Sequence, residues 1–203
     1  YLIDAEILDI TPWQAIALSV GGIIASWGAY DLMCRSPLGR SDRALALAGF
    51  VFLVVLAWLY TQIFSARGAF VQIGVCIGTI MVANVAMVII PGQKVVAALV
   101  AGETPDPAFG RRGKQRSLHN NYLTLPVVFV MIGGHYPAVF ATDYAWVILA
   151  LVLVIGAVVR HFFNTKHKGD PAPWWTWLVA AALTVAAIFL TQAGAPKHDE
   201  ATY

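Results

Sequence analysis

Ala44-Leu45-Ala46-Leu47-Ala48-Gly49-Phe50-Val51-Phe52-Leu53-Val54-Val55-Leu56-Ala57-Trp58-Leu59-Tyr60-Thr61-Gln62-Ile63-Phe64 contains no charged residue. As a helix at about 1.5 Å per residue, this stretch is long enough to cross a ~30 Å hydrocarbon core. Working outward, five more stretches have similar length and composition: 12–33, 69–90, 119–140, 144–163 and 174–193. The expected fold class is therefore all-α, a polytopic transmembrane helix bundle of about six helices. Pro12 suits the first turn of its helix. Trp13, Trp146, Trp174, Trp175 and Trp177 fall near span ends, where interfacial aromatics belong. The fourth span is the weakest. Gly133-Gly134 and Pro137 disturb its far end, so the helix is expected to stop near Ile132 and finish as irregular backbone.

Composition agrees with lipid as the solvent. Of the 203 residues 59% are apolar and 12% are charged, about half the charge of an ordinary soluble domain. The net charge of +2 gives no argument for nucleic acid. Cys34 and Cys76 lie in separate apolar segments, so no disulfide is expected. No C-x-x-C-H occurs, so the chain attaches no c-type haem of its own.

The placement of the basic residues orients the bundle. Arg35, Arg40 and Arg43 share one loop. Lys94, Arg111, Arg112, Lys114 and Arg116 lie in segment 91–118, and Arg160, Lys166 and Lys168 in 160–173. These are eleven of the thirteen basic residues. The positive-inside rule predicts that these loops are cytoplasmic. The lead-in 1–11, the turns 65–68 and 141–143 and the tail 194–203 are then on the outer, non-cytoplasmic side. The opening Tyr1-Leu2-Ile3-Asp4-Ala5-Glu6 has no basic n-region and reads as part of a longer protein with helices upstream.

Polar residues at membrane depth need a reason. His119 opens the fourth span and His161 ends the fifth, at a similar depth on antiparallel neighbours. Such a pair can ligate the iron of a haem b. His135 lies roughly 24 Å further along a helix, too far to share that haem but able to hold another. The plain alternative is histidines bonded to helix ends or headgroups, which is preferred for His167 and His198. Asn120, Asn121 and Tyr122, with Asn84 of the third span, form a dense donor and acceptor set for a planar polar ligand. Interhelical bonding is the alternative for them. The Arg111–Arg116 stretch is expected to set topology and touch anionic lipid.

Met81-Val82-Ala83-Asn84-Val85, Thr104-Pro105-Asp106-Pro107, His135-Tyr136-Pro137 and Asp31…Cys34-Arg35-Ser36-Pro37-Leu38-Gly39 surround a more specific run. That run is Arg116-Ser117-Leu118-His119-Asn120-Asn121-Tyr122-Leu123-Thr124-Leu125-Pro126. Together they resemble the membrane domain of the bacterial membrane-bound urate oxidases, or urate hydroxylases, over nearly the whole chain. The resemblance implies further helices upstream and a cytochrome c domain, fused or separate, on the outer side. It implies oxidation of urate or a related purine; the electrons are expected to pass, through the b-type haem that the histidines suggest, to that cytochrome c. It transfers no catalytic residue. Hydroxylation with water-derived oxygen needs an electron sink, and the sequence holds no flavin or nucleotide motif. The rival reading is a non-enzymatic subunit of a respiratory or photosynthetic membrane complex, among other membrane subunits. A transporter is weaker, since no inverted repeat is seen.

Overall fold

The computed structural model describes residues 3–104 and 106–193. The tail 194–203, with Lys197 and His198, lies outside the described residues, as do Tyr1, Leu2 and Pro105. All regular structure among the described residues is helical. Five helical segments are long and apolar enough to cross a membrane: Pro12–Arg35, Asp42–Thr61, Ala66–Val100, Ala145–His167 and Trp175–Ala193.

Local chemistry sets the ends. Helix α1 (Pro12–Arg35) opens on a capping box in which Thr11 and Gln14 bond to each other's backbone N–H, with Pro12 in the first turn. It stops at Ser36, which precedes Pro37 and is extended at ψ 174°. A 3-10 turn, Pro37–Arg40, folds back so closely that a Cβ on Gly39 would overlap the Cys34 carbonyl. Ser41 caps α2 (Asp42–Thr61) and Ser65 caps α3 (Ala66–Asn84).

The third span overruns its expected end. After one π-helical turn, Val85–Ile89, helix α4 (Ile90–Val100) continues α3 in the same direction. Pro91 is the physical cause. It has no N–H for the Met87 carbonyl, and its ring crowds that carbonyl, so the ladder widens just before it. The 35-residue rod is about 52 Å long and projects beyond the hydrocarbon. Gly102, at φ +84°, turns the chain. Helix α5 (Pro107–Gly133), capped by Asp106, then runs back antiparallel to α4. Segment 91–118 is thus a helical hairpin rather than a loop. Gly92 and Gly113 make the crossing close, since a Cβ on Gly92 would lie 3.1 Å from the Phe109 carbonyl oxygen. Periodicity missed it because the buried face of this part of α5 is Gly113 and Arg116.

Helix α5 ends at Gly133, beside the expected stop. One turn, α6 (Pro137–Phe140), precedes α7 (Ala145–His167) and α8 (Trp175–Ala193). Helix α3 lies at the centre, packed on α1, α2 and α5. Phe64, Ile73, Cys76, Ile77, Val130 and Leu149 form the heart of the core. Outward faces such as Trp13, Ile24, Leu178 and Phe189 are exposed, as lipid contact allows.

Lipid is as apolar as leucine, so helix association here depends on close fit and hydrogen bonds. Ser19 and Gln72 exchange two bonds, of 2.8 and 2.9 Å, between α1 and α3. Gly156 of α7 rests on Pro126 of α5. A Cβ there would stand 2.6 Å from Pro126 Cδ, an atom locked in its ring. Gly156→Leu should therefore push α5 from α7 and cost about 1–3 kcal/mol. Its thermal unfolding in detergent should show a lowered midpoint, and an unchanged one would contradict this seam.

Candidate functional site

The basic ends of α1, α3 and α5 meet around a buried guanidinium. Arg116 is 4% exposed. Its Nη2 lies 2.7 Å from Asp31 Oδ1, and its Nη1 donates to Asn84 Oδ1 at 3.1 Å. The guanidinium also sits over the Tyr30 ring, 4.8 Å from the centroid. Arg35 takes the second Asp31 oxygen at 2.6 Å from one helical turn away. Asn84 Nδ2 donates to the Tyr30 hydroxyl at 3.2 Å and to Asn120 Oδ1 at 2.9 Å. Asn120 Nδ2 in turn donates to the Met81 carbonyl at 2.9 Å. The Tyr30 hydroxyl is 2.7 Å from His119 Nδ1. Among the described residues no buried side-chain nitrogen or oxygen lacks a partner. The network is complete, as low-dielectric surroundings demand.

Asn84 and Asn120, read from sequence as substrate contacts, are brought together here, but their amides are spent on one another, on Arg116, on Tyr30 and on backbone. Asn121 and Tyr122 go elsewhere. Asn121 Oδ1 accepts from Asn164 Nδ2 at 3.0 Å, and its carbonyl accepts from Arg160 Nε at 3.1 Å. The Tyr122 hydroxyl lies 3.4 Å from His161 Nδ1, and the Trp175 ring tilts beside that imidazole at 6.3 Å. His161 and Trp175 are exposed, while Asn121, Tyr122, Arg160 and Asn164 are half-buried. The result is a polar patch at the basic end of the α5–α7 seam, open to its surroundings.

A cavity of about 260 Å³ lies between α2, α5 and α7. Its walls include Leu45, Phe50, Phe52, Leu53, Leu123 and Leu153. Its polar side chains are Tyr30, His119 and Tyr122. Of the histidines, His119 therefore faces the cavity, His161 belongs to the external patch, and His135 is exposed beyond the end of α5.

Asp31, Arg116 and Tyr30 were missed as site residues. Arg116 was merged with its basic neighbours, although it alone of them is buried. A signal existed in Asp31, a carboxylate otherwise unexplained within an apolar span.

A family model described as urate oxidase, N-terminal, matches residues 1–191. The chain belongs to the urate oxidase N-terminal family. No match was found among curated proteins or solved structures.

For this family member, the haem expectation can be set against the seam. Two imidazoles that share one iron must aim at a common centre with room for a macrocycle. Here His119 is bonded to Tyr30 of α1, whereas His161 is bonded to Tyr122 and flanked by Trp175 of α8. The seam between them is closed by Asn121–Asn164, Arg160–Asn121 and Pro126–Gly156. In this arrangement the two imidazoles stand in different surroundings, His119 against Tyr30 and the cavity, His161 in the patch with Tyr122 and Trp175.

Proposed function

We propose that this chain is the membrane module of an enzyme that oxidises urate, or a purine close to it, and delivers the electrons to a cytochrome c on the outer side of a bacterial inner membrane. The family match across residues 1–191 carries this reading. The placement of the basic residues at one end of the bundle supports the orientation. The patch of Asn121, Tyr122, Arg160, His161 and Asn164 is the best place for the purine. Urate is planar and anionic at neutral pH, and N–H and C=O groups surround its rim. The Asn121 and Asn164 amides can pair with those groups, Arg160 supplies a cation, and Trp175 offers a flat face. Hydroxylation with oxygen from water releases two electrons and two protons, which is why an acceptor must follow.

The test is urate-dependent reduction of cytochrome c by the protein at its natural length, in membranes. Arg160→Gln should raise the KM for urate about tenfold or more with little change in folding. Urate turnover that does not need this protein would sink the reading. An unchanged KM would remove the patch from it. For the orientation, a Cys introduced at the exposed Lys114 should resist an impermeant thiol reagent added from the periplasm, and labelling there would reverse it.

A further inference from the structure

We propose that the cavity between α2, α5 and α7 binds a membrane-soluble quinone. This goes beyond the purine reading and does not depend on it. The cavity is walled by aliphatic and phenyl side chains, with polar groups only at Tyr30, His119 and Tyr122. Urate fits such walls badly. Its polar rim would be buried against Leu53, Phe50 and Leu153, and each group left without a partner weakens binding. A quinone is the reverse case. Its ring is flat, its two carbonyls need only one or two donors, and its tail dissolves in lipid.

The donor is fixed by the network behind it. An arginine only donates, so Asn84 turns its Oδ1 to Arg116 and its Nδ2 to Tyr30 and Asn120. The Met81 carbonyl only accepts, so Asn120 is oriented too. Tyr30 accepts from Asn84 Nδ2, and its hydroxyl lies 2.7 Å from His119 Nδ1. When that hydroxyl donates to Nδ1, His119 carries its proton on Nε2 and is a donor for a cavity ligand. The buried chain from Arg116 through Asn84 to Tyr30 thus positions one imidazole at the cavity wall. Gly49 lines the same cavity, and no atom lies within 4 Å of where its Cβ would be. That space is where a ring can lie. Tyr122 touches both sites, since its ring borders the cavity and its hydroxyl meets His161.

The test is equilibrium binding of decylubiquinone to the protein at its natural length in nanodiscs, with empty nanodiscs as the baseline. Saturable binding is expected. His119→Leu should weaken it about tenfold or more, and His119→Gln, which keeps a donor, should restore part of it. Gly49→Phe should fill the cavity and abolish saturable binding at an unchanged melting temperature. Gly21→Phe, also with open space beyond its Cα but outside the cavity, should bind as the parent does. Uptake that is linear in quinone and equal in parent and variants is lipid partitioning and overturns the proposal. Competitive displacement by urate also overturns it, because the cavity would then be the purine's. Urate activity without saturable quinone binding removes the quinone site and leaves the purine reading standing. Quinone binding without urate activity does the opposite.

Discussion

Asp31→Asn is expected to lower stability by about 3–5 kcal/mol, the scale for breaking one side of a buried ion pair. Arg116 is the reason. Its side chain is 5% exposed, and Asp31 is its only carboxylate partner among the described residues. Removing the charge leaves a guanidinium in a low-dielectric site with an amide and a ring for company. Arg35→Ala is expected to cost far less, under about 1 kcal/mol, because its side chain is 70% exposed and water screens the loss. The double change Asp31→Leu with Arg116→Met removes both charges. It should destabilise less than Asp31→Asn alone, as apolar replacement of a whole buried pair often does. Unfolding midpoints of the four proteins in one detergent check the order. Equal midpoints for the parent and Asp31→Asn would mean that the pair is not structural.

The second large effect separates two adjacent amides. Neighbouring helical positions point about 100° apart, and here they serve different elements. Asn120 belongs to the Asn84–Arg116 network of α3, and Asn121 to the Asn164 patch of α7. Asn120→Leu should leave Asn84 Nδ2 short of an acceptor and take from the Met81 carbonyl the donor it has beside the Val85 N–H. The cost is roughly 1–3 kcal/mol of stability for a buried partner lost. Asn121→Leu should leave the melting temperature close to the parent's and abolish most urate-dependent cytochrome c reduction. At 1.4 kcal/mol per tenfold, the same roughly 1–3 kcal/mol taken from binding is about 5- to 150-fold in kcat/KM. If both variants melt and turn over as the parent does, neither amide matters. If Asn120→Leu loses activity at full stability while Asn121→Leu does not, the purine contacts the network instead of the patch.

Much of the architecture was legible because membrane spans are written in a one-dimensional code. An uncharged run such as 44–64 declares its length, and the helix must satisfy its own backbone. Pro12 in the first turn of its helix and the break at Gly133 are local chemistry, readable from two to four residues. The α4–α5 hairpin was not readable. Its charged stretch Arg111–Arg116 has no apolar stripe, and its helix is held by glycine contacts between Gly92 and Gly113 that only folding creates.

The sequence by itself determined a helical membrane protein, the approximate positions of its spans and a specific family likeness, because length, hydropathy and a conspicuous motif are properties of the chain alone. It also marked His119, Asn120, Asn121, Tyr122 and Asn84 as polar groups in need of a reason. Only the tertiary structure decided what those reasons are. It spent Asn84 and Asn120 on each other, on Arg116, on Tyr30 and on the Met81 carbonyl, turned Asn121 and Tyr122 toward α7, and gave His119 and His161 different partners. The physical cause is direction. A helix presents successive side chains to different neighbours, and which neighbour stands opposite depends on how α1, α3, α5 and α7 pack, a fact spread over partners up to 89 residues apart.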